Sequence, residues 1–174
     1  MDILDFAMQM ELDGRKFYLA GAEQTKEDHL KEIYLKLAEE EHRHYNVFKR
    51  LKEGDIQAAE GAMGGQDETI SLTKTLFKEM AEKGLKGLPG ENETEIWKEA
   101  RAVEEKTVKL YSDEAVKESD QAKKELLMRL AEEERTHVYL IENILQFLKD
   151  PGGFQETQDY KNFMSWEGRG GPGF

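Results

Sequence analysis

Slid against itself by 93 residues, the chain matches residues 7–44 to residues 100–137 without a gap, and 13 of these 38 positions are identical. A composition as biased as this one would give about two to four identities by chance. Ala7 meets Ala100, Glu11 meets Glu104, Tyr18 meets Tyr111 and His44 meets His137. The run Leu37-Ala38-Glu39-Glu40-Glu41 returns as Leu130-Ala131-Glu132-Glu133-Glu134. Two copies are too few, and the period too long, for a solenoid. The pattern constrains the chain to two similar helical hairpins related by a pseudo-twofold axis.

Helical periodicity fills both copies. One pattern runs from about Ile3 to Gln24, and a second follows Asp28, its expected cap, and ends near Gly54. A third spans roughly Glu93 to Glu118, and a fourth, capped by Asp120, stops before Pro151. Residues 54–67 are Gly-rich and read as a loop. A shorter amphipathic helix, roughly Glu68 to Lys83, follows with Ile70, Leu76, Phe77 and Met80 on its apolar side. No alternating β-branched run of any length appears. The expected fold is therefore all-α: a four-helix bundle over residues 1–150, with one long crossover connection that contains a short helix. Residues 151–174 form a separate tail carrying Phe154, Tyr160, Phe163, Trp166 and Phe174. It reads either as an arm packed on its own bundle or as one docking on a second subunit or a partner protein, which leaves a homodimer open.

The apolar stripes are interrupted at matching places. The second helix reads Leu30, Ile33, Leu37, then Glu41 and His44, then Phe48 and Leu51; the fourth reads Leu126, Leu130, Glu134, His137, Ile141, Leu145. Steps of three and four keep these residues on one helix face. Leu4, Ala7, Glu11, Gly14, Tyr18 and Trp97, Ala100, Glu104, Val108, Tyr111 place one carboxylate on the inward face of each remaining helix. Burying four carboxylates and two imidazoles without compensation is prohibitive. Two divalent cations would balance four carboxylates, with neutral histidines completing the donor set. Off the stripe, Glu39, Glu40 and His42 are expected on the solvated surface, as is His29 near a helix start. Glu105 falls off the stripe that carries Glu104.

One Glu from each of two helices, with Glu-x-x-His from each of the other two, resembles the ferritin-like di-iron carboxylate proteins. The Ala-x3-Glu-x6-Tyr and Ala-x2-Glu-x2-His runs look most like the rubrerythrin branch, and the resemblance covers residues 3–149. It implies a ferritin-like bundle holding two iron ions, with Glu11 and Glu104 as terminal ligands, Glu41 and Glu134 as bridges, and His44 and His137 capping one iron each. It implies that Tyr18 and Tyr111 hydrogen-bond to ligand carboxylates across the bundle. It also implies reduction of peroxide or dioxygen, or oxidation of Fe(II), at the pair. Rubrerythrins carry a four-cysteine rubredoxin domain. This sequence contains no cysteine, so an external electron donor, unidentified, is expected. Rubrerythrins also have an additional Glu where this chain has Thr107, whose repeat mate is Gly14. Two Mn ions or a mixed Fe/Mn pair would suit the same donors. An iron-delivery protein without turnover and a metal-free helical interaction bundle remain open. Hydroxylation of an organic substrate would need a pocket, for which the sequence carries no signal.

Composition narrows the partners. Asp plus Glu is 37 against 25 Lys plus Arg, a net charge of −12, which disfavours nucleic acid and anionic lipid surfaces. No run approaches the length of a membrane span. Residues 1–10 carry Asp2 and Asp5 with no basic region, unlike a secretory signal, so the cytoplasm is the expected compartment.

Overall fold

The computed structural model describes residues 2–87 and 89–168, and among these there is no strand. Four long helices dominate: α1 (Ile3–Gln24), α2 (Asp28–Lys52), α5 (Glu93–Lys117) and α6 (Gln121–Lys149). The crossover between α2 and α5 holds α3 (Ile56–Gly61) and α4 (Gln66–Lys83), and the tail holds a short 3-10 turn (Phe154–Glu156) and α7 (Gln158–Ser165). Side-chain caps set the starts. Asp2 accepts from Leu4 N, and Asp120 accepts from Lys123 N at 3.0 Å. The cap of α2 is Glu27 rather than Asp28, its Oε2 accepting from Leu30 N at 2.7 Å. Helix α3 lies where a loop is expected. Asp55 accepts from Ala58 N at 2.9 Å and starts a turn that is too short to show a helical period.

Helix α1 packs along α2 and α5 along α6, which gives two hairpins, and α2 meets α6 where they join. Each long helix contributes to two apolar clusters. One gathers Tyr18, Leu37, Ala100 and Leu140; the other gathers Ala7, Val47, Tyr111 and Leu130. Along every long helix the residues between the two clusters are the polar ones singled out above. The fold therefore brackets a buried polar layer between two apolar blocks, and these blocks fix its depth.

The described part of the tail packs on its own bundle. Phe154 and Phe163 are buried, and both rings meet Phe77 of α4 at centroid distances of 5.6 and 5.3 Å. Trp166 stands edge-on to Tyr139 of α6 at 4.7 Å. Phe174 lies outside the described residues. His29 is buried, not on the surface: its Nδ1 lies 2.7 Å from Glu27 Oε1 and its Nε2 lies 3.2 Å from Glu79 Oε2 on α4. It ties the start of α2 to the crossover helix, a partner that position along one helix does not reveal.

Candidate metal centre

Glu11, Glu41, His44, Glu104, Glu134 and His137 are all buried. They form two overlapping groups: Glu11, Glu41, His44 and Glu134; and Glu104, Glu41, His137 and Glu134. In each group one donor atom per residue lies within 4.8 Å of the others. The shift of 93 residues turns one group into the other. Glu41 and Glu134 belong to both, whereas each remaining residue serves one half. Glu105 is exposed, as are Glu39 and His42.

Both imidazoles turn Nδ1 inward. His44 Nδ1 lies 2.7 Å from Glu134 Oε1 and 3.7 Å from Glu11 Oε2. His137 Nδ1 lies 3.0 Å from Glu134 Oε2 and 3.4 Å from both Glu41 Oε1 and Glu104 Oε1. The rings are nearly parallel, with centroids 5.7 Å apart. On the outer side, His44 Nε2 meets Glu133 Oε2 at 2.8 Å, and His137 Nε2 meets Glu40 Oε2 at 2.6 Å.

Glu40 is thus buried and committed, contrary to the surface position expected for it. Its place one residue before Glu41 turns it off the apolar stripe, but toward the α2–α6 contact, not toward water. The signal was the middle Glu of the repeated Leu-Ala-Glu-Glu-Glu run, since Glu40 and Glu133 are repeat mates, each serving the histidine of the other copy. A carboxylate on the far nitrogen fixes the tautomer that leaves Nδ1 free to donate. Replacing Glu40 and Glu133 together with Gln should weaken divalent-metal affinity about 10–100-fold. Replacing the exposed Glu39 and Glu132 should not. A competition titration against a chelating dye measures both.

Tyr18 and Tyr111 both reach across the bundle to a carboxylate of the layer. The Tyr18 hydroxyl donates to Glu104 Oε1 and the Tyr111 hydroxyl to Glu11 Oε1, each reaching from one hairpin to the other. Burial, followed by the Glu104 charge, pushes Tyr18 well above the usual phenol range, and burial and Glu11 do the same for Tyr111. Both stay neutral donors.

Burial, then the charges of Glu104, Glu134 and Glu11, pushes Glu41 well up. Burial and Glu104 push Glu134 up to about 7. Burial alone would lower both histidines. For His44 the Glu134 and Glu11 carboxylates more than offset it, and for His137 those of Glu40 and Glu134 do, so both rings are raised well above the usual imidazole range. Protons thus hold the layer together when no cation does.

The donor set fits a cation pair. Glu11 Oε2, Glu41 Oε1, Glu134 Oε2 and His137 Nδ1 are buried without a hydrogen-bond partner. His137 Nδ1 and Glu134 Oε2 approach to 3.0 Å without hydrogen-bond geometry. Both residues belong to the Glu104 group, whose potential donor atoms gather within 4.8 Å of one another.

A cavity of about 270 Å³ opens between α1 and α5, where the sequence signalled no pocket. Met10, Phe17 and Val103 form apolar walls, and Glu11, Glu41 and Glu104 lie at its inner end. Gly14 and Thr107 also line it. A Cβ on Gly14 would stand 2.6 Å from Glu41 Oε2, so the glycine is what lets the cavity reach that carboxylate.

A family model described as Rubrerythrin matches residues 2–145. No curated protein and no solved structure gives a match.

Proposed function

The chain belongs to the rubrerythrin family, a membership that implies iron binding, and from that premise we propose that it is a di-iron oxidoreductase. It would reduce peroxide or dioxygen, with oxidation of Fe(II) as the partner half-reaction. The observation that carries this reading is the layer itself: four carboxylates and two imidazoles, all buried and gathered into two overlapping groups, with Glu11 Oε2, Glu41 Oε1, Glu134 Oε2 and His137 Nδ1 lacking hydrogen-bond partners.

Glu41 and Glu134, shared by both groups, would bridge two irons. Glu11 with His44, and Glu104 with His137, would each complete one half. Two iron ions held there supply one electron each, the pair that peroxide needs to become water. Every other task falls to the chain. Tyr18 and Tyr111 hold one oxygen of Glu104 and Glu11, leaving the second to face the centre. Glu133 and Glu40 hold the imidazoles. The cavity beside Gly14 offers a small neutral molecule a route to Glu41, and its apolar walls keep bulk water from competing. Carboxylate donors favour the ferric state, so the reduced pair gives up electrons readily.

The test is anaerobic loading with Fe(II), followed by mixing with dioxygen or hydrogen peroxide. The proposal expects about two irons per chain and rapid consumption of one oxidant with matching ferric absorption. Iron uptake with no faster oxidation than free Fe(II) would instead favour a delivery protein. No uptake would favour the metal-free bundle.

A further inference from the structure

The pseudo-twofold symmetry of the carboxylates behind the two imidazoles is broken at Arg43. His137 Nε2 donates to Glu40 Oε2 at 2.6 Å, while Glu40 Oε1 accepts from Arg43 Nη2 at 3.0 Å. The repeat mate of Arg43 is Thr136, a buried neutral residue that accepts from Gln66. Among the described residues, the only ion-pair partner of Glu133 is His44, at 2.8 Å. Arg43 is held in place by the crossover. Gly65, at φ +88°, lies so close that any Cβ there would run into the guanidinium, and Glu39 Oε1 lies 3.4 Å from Nη1.

We propose that Arg43 makes the two halves of the centre unequal, so that the Glu11/His44 half takes up a divalent cation first and the Glu104/His137 half second. The inference rests on the metal-centre reading above. A carboxylate accepting from Nε2–H pushes electron density into the ring and strengthens Nδ1 as a donor. Glu133 does this for His44 undivided. Glu40 shares its charge with a guanidinium, so His137 receives less of it. The positive charge of Arg43 also opposes a second cation on its own side of the layer. Both effects have the same sign. Removing an outer partner shifts metal affinity about 10–100-fold. Sharing one is a milder change, so a gap of about tenfold between the halves is expected.

The role of Arg43 is therefore positioning and electronic, two hydrogen bonds removed from the His137 ring. The probe is Co(II) titrated anaerobically into the metal-free full chain, followed by its visible absorption. The wild type should fill in two steps about tenfold apart. Arg43→Gln should tighten the second step toward the first, while Arg43→Lys, which keeps the charge, should preserve the gap. Independently, His137→Ala should retain the tight step and His44→Ala only the weak one. Equal steps in the wild type, an unchanged gap in Arg43→Gln, or the opposite order in the histidine variants would overturn the proposal while leaving the centre intact. Loss of the gap in Arg43→Lys as well would assign Arg43 to packing and overturn it too. Absence of any Co(II) uptake would overturn the centre itself, and the inference with it.

Discussion

Replacing Glu41 and Glu134 together with glutamine should abolish metal uptake and raise the melting temperature of the metal-free protein. The two effects have one cause. Both carboxylates are buried, and burial, followed by the charge of Glu104, pushes both up. Each amide is close in shape to the acid it replaces, so no cavity forms. It removes the cost of keeping an ionisable group protonated where its charge cannot be solvated, and its N–H groups can donate to oxygens such as Glu11 Oε2, which now lacks a partner. In a chain of this size each kcal/mol of relief raises the melting temperature by about 2–4 °C. The same amides are poor bridges, and two divalent cations would then be balanced by only two carboxylate charges, those of Glu11 and Glu104. Glu39→Gln with Glu132→Gln is the control, since both residues face solvent. Metal content after desalting and thermal melts in chelator measure the two effects. Retained metal in the Glu41/Glu134 variant would remove these residues from the centre.

What the sequence revealed and what it hid divide along a physical line. Glu41, His44, Glu134 and His137 interrupt a seam of period three and four, so one helix alone announces that they point inward. Glu11 and Glu104 are ordinary glutamates until the repeat pairs them. Glu40, Glu133 and His29 depend on a second element: Glu40 is buried because α6 brings His137 to it, and His29 because α4 brings Glu79. No period along one helix encodes that. Helix α3 was hidden by glycines that flank a turn too short to be periodic. The aromatic residues of the tail were legible as apolar, but their destination against Phe77 and Tyr139 is a tertiary fact. The cavity is likewise a property of two helices, and no pattern along one of them announces it.

The metal-free protein should lose stability as pH rises from about 5 to about 8, whereas the metal-loaded protein should not. Glu134, pushed up to about 7 in the fold, and Glu41, pushed well up, keep protons that the unfolded chain releases near its ordinary carboxylate value. His44 and His137, raised above the ordinary imidazole value, also keep protons that the unfolded chain gives up. Over this window the folded state binds more protons than the unfolded one, so stability falls with pH. For each raised group the contribution is present below its unfolded value and lost as pH rises through its folded one. Glu40 acts in the opposite sense. Burial would raise it, but His137, His44 and Arg43 hold it at about 2, so its contribution is present above its unfolded value and lost on acidification. The metal-free optimum should therefore lie near pH 5. Divalent cations replace the protons, so their uptake should release protons and tighten across the same window. Binding also adds stability that grows with free metal. Thermal melts at intervals from acid to mildly alkaline pH, in chelator and in excess Mn(II) with oxygen excluded, measure both profiles. A flat metal-free profile that metal leaves unchanged would mean that the layer is satisfied by neutral hydrogen bonds. The interaction-bundle reading would then replace the di-iron one. Profiles that meet in acid and diverge as pH rises would make the buried charge the price of the site, with the metal as the compensation.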